Sequence, residues 1–280
     1  MPISYKTELH ARFGENLELG EGDGDHPDSP WLRQLLMRRT HRRFDDRPVP
    51  EPRIKLMLAA AISASSKSDF QQVSIIRVND RARRKRLGAL FPDMPWIGTS
   101  PLFLVFCGDA RRLERLGARH GLSPANGTFE GFFNATVDAA LALQTCILTA
   151  EGIGLGCCPI SVLRNHIVEV AEILALPDKV FPVAGLCVGY PAEAGFISMR
   201  LPLAATLHVD RYDDSQLPAV VEAYDRRRDK RFSIKDRQRA PERFGVAEFY
   251  GWSEDKARQA MDPDGADFPP WLRAHGFSFK

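Results

Sequence analysis

One stretch of the chain, residues 129–151, constrains the fold more than any other. It follows a helical pattern with apolar residues on almost every face, so a helix formed here must be covered on most sides. Polar and charged residues interrupt it too often for a membrane-spanning helix; they are Glu130, Asn134, Asp138, Gln144 and Glu151. We therefore predict a helix that ends near Gly152 and Gly154 and is buried in the core or between two subunits.

Strand and helical patterns alternate along the rest of the chain. Apolar runs at residues 73–78, 102–107, 155–160 and 181–189 predict strands. Helical patterns at residues 31–39, 81–90 and 167–174, with another from Glu51 onward, predict helices. The chain has no internal repeat, no glycine-rich dinucleotide fingerprint and no Walker-type loop. The pattern predicts a layered α/β or α+β domain without a Rossmann nucleotide site.

The composition is that of an ordinary globular protein, with 44% hydrophobic and 26% charged residues among 280. The net charge of +2 gives no general attraction to nucleic acid or to an acidic membrane. The five cysteines are odd in number and lack disulfide or metal-ligand spacing, and the N-terminal residues have no hydrophobic centre. We expect a cytoplasmic protein with reduced, buried cysteines and with no metal, nucleic-acid or membrane partner.

Four arginines occur within six positions of residues 37–44, namely Arg38, Arg39, Arg42 and Arg43, with a hydroxyl group at Thr40. Guanidinium groups bind phosphate oxygens two at a time, so this segment could hold a phosphorylated ligand. A solvated basic surface, with Asp45 and Asp46 as counter-charges, explains the same residues. The arginine pattern alone leaves both interpretations open.

A loop rich in short hydroxyl side chains, residues 63–69, follows the second predicted helix. It could donate hydrogen bonds to the polar edge of a ligand, or it could be a plain connection.

After residue 210 the chain becomes rich in basic and aromatic residues. Residues 224–239 carry eight basic side chains, which could form a solvated helix face, a nucleic-acid patch or the seat of a phosphorylated cosubstrate. The small net charge and the single interleaved aromatic residue, Phe232, argue against nucleic acid. We divide the chain into an irregular leader (1–29), a main domain (30–209) and an aromatic-rich extension (210–280) that docks on the body or on a partner subunit.

Four segments in this order resemble the nitroreductase family, and within it the NADPH-type oxygen-insensitive nitroreductases and flavin reductases. They are residues 38–42, residues 65–78, residues 150–156 with 163–165, and residues 185–191 with 200–202. Each segment is weak alone, but the four together span roughly residues 31–205 and are specific.

The resemblance implies an α+β sandwich with a central, mostly antiparallel sheet flanked by helices, and a domain-swapped homodimer. It implies FMN at each of two dimer-interface sites, with NADPH or NADH as cosubstrate. Nitroaromatics, quinones or flavins are the implied small-molecule electron acceptors, reduced in a ping-pong cycle. The redox chemistry is that of the flavin, so we expect no side-chain nucleophile or general acid, and we expect His41 to be structural or adjacent to the ring.

The resemblance also assigns roles to single residues. Arg38, Arg39 and Arg42 match the basic positions at the flavin phosphate and ring edge, and Thr40 matches a usual serine. The remaining implied flavin contacts are Ser65, Ser66, Lys67, Ser68 and Asp69 from the partner subunit, Pro159, Ile160, Ser161 and Val162 beside the ring, Met94 near the pyrimidine, and Arg200 at the phosphate.

Three departures from the family pattern concern the substrate. The family usually has glycines at Ser161 and Val162, a glutamine at Met94 and a lysine at Ser198. These changes leave open a specialised reductive enzyme of the dehalogenase or enone reductase type, or a non-catalytic flavin-binding protein.

The cosubstrate phosphate is the last expected contact. Arg226, Arg227 and Arg231 lie where this branch of the family holds the ribose phosphate that distinguishes NADPH from NADH. A solvated helix face accounts for these residues equally well.

Overall fold

One antiparallel sheet organises the computed structural model, which describes residues 5–15, 17 and 29–279. Its strands are β1 (Val73–Arg77), β2 (Leu102–Asp109), β3 (Gly156–Ile160) and β4 (Val180–Gly189), in the order β1-β2-β4-β3. The two central strands read as almost continuous apolar runs because both of their faces are covered. The structure confirms the predicted α+β fold, and every strand pair in the sheet is antiparallel.

Helices account for most of the remaining regular structure of the described residues. They are α1 (Lys6–Phe13), α2 (Pro30–Leu36), α3 (Glu51–Ile62), α4 (Arg81–Ala89), α5 (Trp96–Thr99), α6 (Arg111–Arg119), α7 (Phe129–Gly152), α8 (Ile167–Leu174), α9 (Leu217–Arg231), α10 (Pro241–Phe244), α11 (Trp252–Ala260) and α12 (Phe268–Ala274). The chain separates into two compact units. The first is drawn from Met1–Arg38 and Ile197–Pro263, and the second from Arg39–Phe196 and Asp264–Lys280.

The two faces of the sheet have different partners because side chains alternate along a strand. From β2, Leu104 and Phe106 join a buried cluster with residues of α3 and α7. Phe103 and Val105 point to the opposite face and join a second cluster with residues of α4, α5 and α8. The second unit therefore consists of a sheet between two helical layers.

The long helix α7 begins at Thr128, whose hydroxyl accepts a hydrogen bond from the Gly131 amide at 3.2 Å. Alanines on its buried side allow close contact with the sheet, as expected for a core helix. By length and composition alone α7 could cross a membrane, but in its most apolar stretch of 18 residues 39% of the residues are buried inside the chain's own fold. Its outer side exposes an apolar row, consisting of Phe129, Phe133, Val137 and Leu141. Burial on all sides is therefore not achieved within one chain.

Two predicted elements differ from the structure. The leader is not irregular throughout, because residues of α1 form a helix whose Arg12 donates hydrogen bonds to the carbonyl oxygens of Leu36 and Ser198, both at 2.9 Å. These contacts are distant in sequence, so the local pattern does not reveal them. The glycine-rich part of the leader lies outside the described residues. Helix α2 ends at Leu36, so Arg38 and Arg39 lie beyond the end of the predicted helix. The domain boundaries at residues 30 and 210 stay a prediction.

A buried carboxylate on α7 holds the hydroxyl-rich loop. Asp138, only 2% exposed, accepts hydrogen bonds from the Ser66 hydroxyl at 2.8 Å, the Lys67 amide at 3.0 Å and the Gln72 amide at 2.9 Å. The loop needs this support because Ser68, Asp69 and Gln71 all have positive φ angles, which non-glycine residues rarely adopt. Asp138 therefore fixes the loop that leads into β1.

We predict that Asp138→Ala destabilises the protein by about 3 kcal/mol, because it leaves the buried Gln72 amide, the Lys67 amide and the Ser66 hydroxyl without their shared acceptor. Urea denaturation measures the loss, and hydrogen exchange at Lys67 and Gln72 reports whether the loop opens. Ser65→Ala, at an exposed neighbouring position, is the control and should change neither quantity. Retention of wild-type stability and exchange rates in Asp138→Ala would show that the loop does not depend on the carboxylate.

Candidate functional site

The arginine segment runs along the outer edge of β3. The His41 amide donates a hydrogen bond to the Cys157 carbonyl oxygen at 2.9 Å, and Thr40 forms a parallel bridge with Cys157. Farther along, the Asp45 amide donates to the Tyr190 carbonyl oxygen at 3.0 Å. These backbone bonds hold the segment against the edge of the sheet at two points.

A cleft of ≈ 750 Å³ opens beside this segment. Its lining combines two arginines, two carboxylates, two hydroxyl groups and three aromatic rings from the segment, from residues 95–99 and from residues 192–196, namely Thr40, Arg42, Arg43, Phe44, Asp46, Pro95, Trp96, Thr99, Ala192, Glu193, Gly195 and Phe196. The Arg42 guanidinium lies 5.8 Å from the centroid of the Trp96 ring. Arg43 forms an exposed ion pair with Glu193 at 3.4 Å. Arg39 donates to the Ala194 carbonyl oxygen at 3.3 Å, at the same end of the cleft.

The segment that follows β3 presents alternate residues to solvent. Pro159 and Ser161 are exposed, whereas Ile160 is buried in the second apolar cluster. Val162 packs against that same cluster and shares a separate hollow of ≈ 310 Å³ with Met94. Met94 therefore lies beside Val162, and neither residue lines the cleft of the arginine segment.

The hydroxyl-rich loop lines a third cavity, of ≈ 290 Å³, with contributions from Ser65, Ser66 and Asp138. Lys67, Ser68 and Asp69 are exposed around it. Arg112 of α6 also lines this cavity; its guanidinium donates to the Val73 carbonyl oxygen at 2.9 Å and to the Ser74 hydroxyl at 3.0 Å.

The sequence did not reveal Asp138 or Arg112 as part of a candidate site. Asp138 carried a usable signal, since a carboxylate within an apolar helix must find hydrogen-bond donors when it is buried. Arg112 carried none, because its acceptors come from a strand that lies far from it in sequence.

The arginine segment and the hydroxyl-rich loop lie at opposite corners of the sheet. The segment contacts β3 at Cys157, opposite Val188 near the end of β4, whereas the loop leads into β1 at the level of Phe181 near the start of β4. Strand geometry puts these corners about 23 Å apart along the strands and about 14 Å apart across them. This separation exceeds the extended length of one flavin mononucleotide.

The remaining predicted basic residues lie in the first unit. The Arg200 amide donates to the Arg12 carbonyl oxygen at 2.9 Å, and its exposed side chain donates to the Ser198 carbonyl oxygen at 3.1 Å. Arg226 pairs with Glu222 one turn earlier on α9, at 2.7 Å.

Two further arginines of α9 contact the N-terminal segment. Arg227 forms an ion pair with Glu15 at 3.1 Å, and Arg231 donates to the Ala11 carbonyl oxygen at 3.0 Å. Arg226, Arg227 and Arg231 thus have separate protein partners and do not converge on one point.

The cysteines take no part in these sites. All five are free and buried. Burial raises the pKa of Cys107, Cys146 and Cys187 to about 12, so these thiols stay protonated at neutral pH and are poor nucleophiles.

Comparison with known proteins assigns the two matched regions of the chain to one family. The family model described as the nitroreductase family matches residues 35–190, and the model of that family's C-terminal domain matches residues 198–280. The chain is 36% identical to FMN reductase (NAD(P)H) of Bacillus subtilis (strain 168) over 198 residues, which are 69% of this chain and 79% of that protein. It is 37% identical to the oxygen-insensitive NADPH nitroreductase of Salmonella typhimurium over 186 residues, which cover 66% of this chain and 75% of the relative.

A solved structure, that of B. megaterium NfrA2, superposes with a TM-score of 0.81 at 29% identity, covering 90% of this chain and all of that one. The predicted family and its α+β fold are thereby confirmed. The chain belongs to the nitroreductase family, in the branch that contains the NADPH nitroreductases and flavin reductases.

Proposed function

We propose that the protein is an FMN-dependent NAD(P)H oxidoreductase that reduces small acceptors such as nitroaromatics, quinones or flavins. The observation that carries the proposal is the arginine segment, which backbone bonds to β3 hold at the rim of a cleft large enough for a flavin. The names of the relatives, an FMN reductase and an NADPH nitroreductase, support the same reaction class.

The residues around the cleft suit FMN. Its volume lies within the usual range for ligand pockets, about 300–1,000 Å³. Arg42 would hold the phosphate, with Thr40 as a neutral donor in the cleft and Arg39 beside it, bonded to the Ala194 carbonyl oxygen. Pro159 and Ser161, which are exposed but do not line the cleft, would border the ring from the segment after β3. The bound flavin would supply the two-electron redox chemistry that passes hydride from the nicotinamide to the acceptor.

The chain's own residues contribute position and charge. His41 packs against Gly156, where an added Cβ atom would lie 2.8 Å from the imidazole Cγ, so this histidine serves to seat the segment on β3. No side chain of the cleft is needed as a nucleophile. The arginines provide fixed positive charge beside the place where an anionic ligand would bind. This charge would favour binding of the phosphate, and the binding would need no proton transfer.

We further propose that two chains build each flavin site. Within one chain, the arginine segment and the hydroxyl-rich loop are too far apart to contact the same flavin, so the loop of a partner subunit would complete the site. The exposed apolar row of α7 supports this assembly, because it leaves a continuous hydrophobic surface that a second copy would cover. A cytoplasmic location agrees with five reduced cysteines and stays part of the proposal.

The shape of the site favours a general reductase. Val162 packs against the core and does not line the cleft, so it does not narrow the space beside a flavin ring there. Of the two glycine replacements, only Ser161 remains exposed near the proposed ring position.

The first functional prediction concerns the phosphate contact. Arg39→Ala should weaken FMN binding by about tenfold or more, since it removes a charge-assisted hydrogen bond worth about 1.5–3 kcal/mol. Fluorescence titration of the apoprotein with FMN measures the change. Arg47→Ala is the matched control, because Arg47 belongs to the same basic run but its guanidinium is paired with the Asp45 carboxylate at 2.6 Å, whereas Arg39 donates to a carbonyl oxygen between two residues of the cleft wall. Equal affinities in the wild type and Arg39→Ala would remove Arg39 from the phosphate site.

The second concerns assembly. Replacing Phe133 and Leu141 with glutamate should convert the dimer into monomers that lose flavin, because two charges would be buried in the apolar contact. Light scattering at micromolar concentration gives the mass, and the absorbance at visible wavelengths gives the bound flavin. Leu116→Glu, on the exposed side of α6, is the control and should stay dimeric. A wild-type monomer that carries FMN would contradict the assembly.

The third concerns the cosubstrate. If α9 holds the ribose phosphate, NADPH should be preferred over NADH by roughly one to two orders of magnitude, because one phosphate contact is worth about 1.5–3 kcal/mol. Replacing Arg227 and Arg231 with alanine should then raise the KM for NADPH and leave that for NADH unchanged.

Glu15→Gln separates this role from a structural one, because it breaks the ion pair of Arg227 but keeps the arginine. A purely structural role predicts that Glu15→Gln and Arg227→Ala lower stability alike and leave the cosubstrate preference unaltered. Equal use of NADH and NADPH by the wild type would end the proposal for α9.

A further inference from the structure

Helix α4 carries basic residues on two sides, and among the described residues only one of these sides forms an ion pair with a carboxylate. On the first side, Arg83 donates to the Ile173 carbonyl oxygen, and Arg86 forms an ion pair with Glu172 at 2.8 Å. Both acceptors belong to α8, so this side serves to hold two helices together.

The second side of α4 faces a groove of ≈ 830 Å³ between α4, α5 and the residues that follow each of them. Arg81, Arg84 and Lys85 line this groove, and none of its lining residues is an aspartate or a glutamate. At neutral pH the groove therefore holds three positive side chains with no carboxylate in its wall.

Arg84 is the buried member of this set, with 9% of its surface exposed. Its guanidinium donates to the Ser100 carbonyl oxygen at 2.9 Å and to the Ser100 hydroxyl at 2.8 Å, and lies 4.6 Å from the centroid of the Phe103 ring. Among the described residues it forms no ion pair with a carboxylate.

This burial disfavours the charged form of Arg84. It lowers the pKa of the guanidinium to about 10, so the group is still a cation at neutral pH. A buried cation without a counter-charge is unfavourable, and a bound anion would relieve that cost.

The shape of the groove indicates more than a bare ion. Gly88 and Gly98 let α4 and α5 pack closely at its floor, since a Cβ atom on Gly88 would lie only 3.0 Å from the Gly98 Cα. Its volume accommodates a small organic molecule, and Pro92 and Pro95 give it apolar walls. Pro95 and Thr99 also line the cleft of the arginine segment, so the two spaces share a wall.

We propose that this groove is a second anion site, which binds the phosphate group of a small phosphate ester of nucleotide size. Arg84 would anchor the phosphate, Arg81 and Lys85 would close around it from the exposed side, and the proline walls would contact the organic part. The ester could be a free nucleotide or the adenylate part of the nicotinamide cosubstrate, since both present a phosphate group on a nucleoside. Binding to the groove does not depend on the proposed reaction.

The test is isothermal titration of the purified, flavin-containing protein with AMP, inorganic phosphate and adenosine. AMP should bind, phosphate should bind more weakly, and adenosine should bind at least about tenfold more weakly than AMP, because it lacks the charge-assisted contacts. The double variant Arg81→Ala/Lys85→Ala should lose about tenfold or more in AMP affinity. Both positions are exposed, so the fold should be preserved.

The matched control is Arg83→Ala/Arg86→Ala, which removes the same charge from the same helix but from the side that faces α8. It should bind AMP as the wild type does. Equal losses in the two double variants would reduce the effect to general electrostatics and overturn the site. So would the absence of AMP binding to the wild type, or adenosine binding as tightly as AMP.

A competition experiment then identifies the source of the phosphate. Displacement of AMP by NADPH but not by added FMN would assign the groove to the cosubstrate. AMP binding that neither competes with nor alters NADPH binding would assign it to a free nucleotide. Both results retain the groove as a phosphate site.

Discussion

The backbone hydrogen bond from the His41 amide to the Cys157 carbonyl oxygen, 2.9 Å long, is the contact on which the proposed site depends. It aligns the arginine segment with the edge of β3. Gly156 makes this approach possible, because a side chain at that position would collide with the His41 ring. The placement of Thr40 and Arg42 at the cleft therefore depends on this pairing with the sheet edge, and the arginines of the cleft come from the segment and not from the core strands.

A second constraint acts at the other corner of the sheet. The Asp138 carboxylate gathers three donors of the hydroxyl-rich loop and keeps its strained residues in place beside β1. Since the two corners are separated by the whole sheet, one chain would provide each half of the proposed flavin site but not both halves together. In the proposed homodimer each site would take one half from each chain, and the second copy would cover the exposed apolar row of α7.

The sequence predicted the parts of the fold that depend on local pattern. The apolar runs located all four strands, and the helices α3, α4, α7 and α8 lie close to their predicted positions. Features that depend on distant partners escaped prediction, including the formation of α1 around Arg12 and the capture of the loop by Asp138. The arginine segment was recognisable because four guanidinium groups in six residues need an explanation, but its attachment to β3 is a long-range pairing that no local pattern encodes.

The structure also changes the meaning of some expected contacts. Met94 and Val162 lie together in a hollow separate from the cleft, and Arg227 and Arg231 contact the N-terminal segment. Sequence similarity places a residue in a region, whereas the direction of its side chain depends on packing. The basic run of α4 shows the same point, since only the structure separates Arg83 and Arg86, which have acceptors on α8, from the three residues that line the groove.

The most direct test of the account is a mixed dimer with two different tags. One chain would carry Arg39→Ala and Arg42→Ala, and the other Ser65→Ala, Lys67→Ala and Ser68→Ala. If each site takes one half from each chain, one site of the mixed dimer is intact and the other lacks both halves. The doubly tagged protein should then bind about one FMN per dimer, while the two parent homodimers bind little. A mixed dimer as poor in FMN as its parents, or a serine-loop homodimer with full occupancy, would contradict a flavin site shared between two chains.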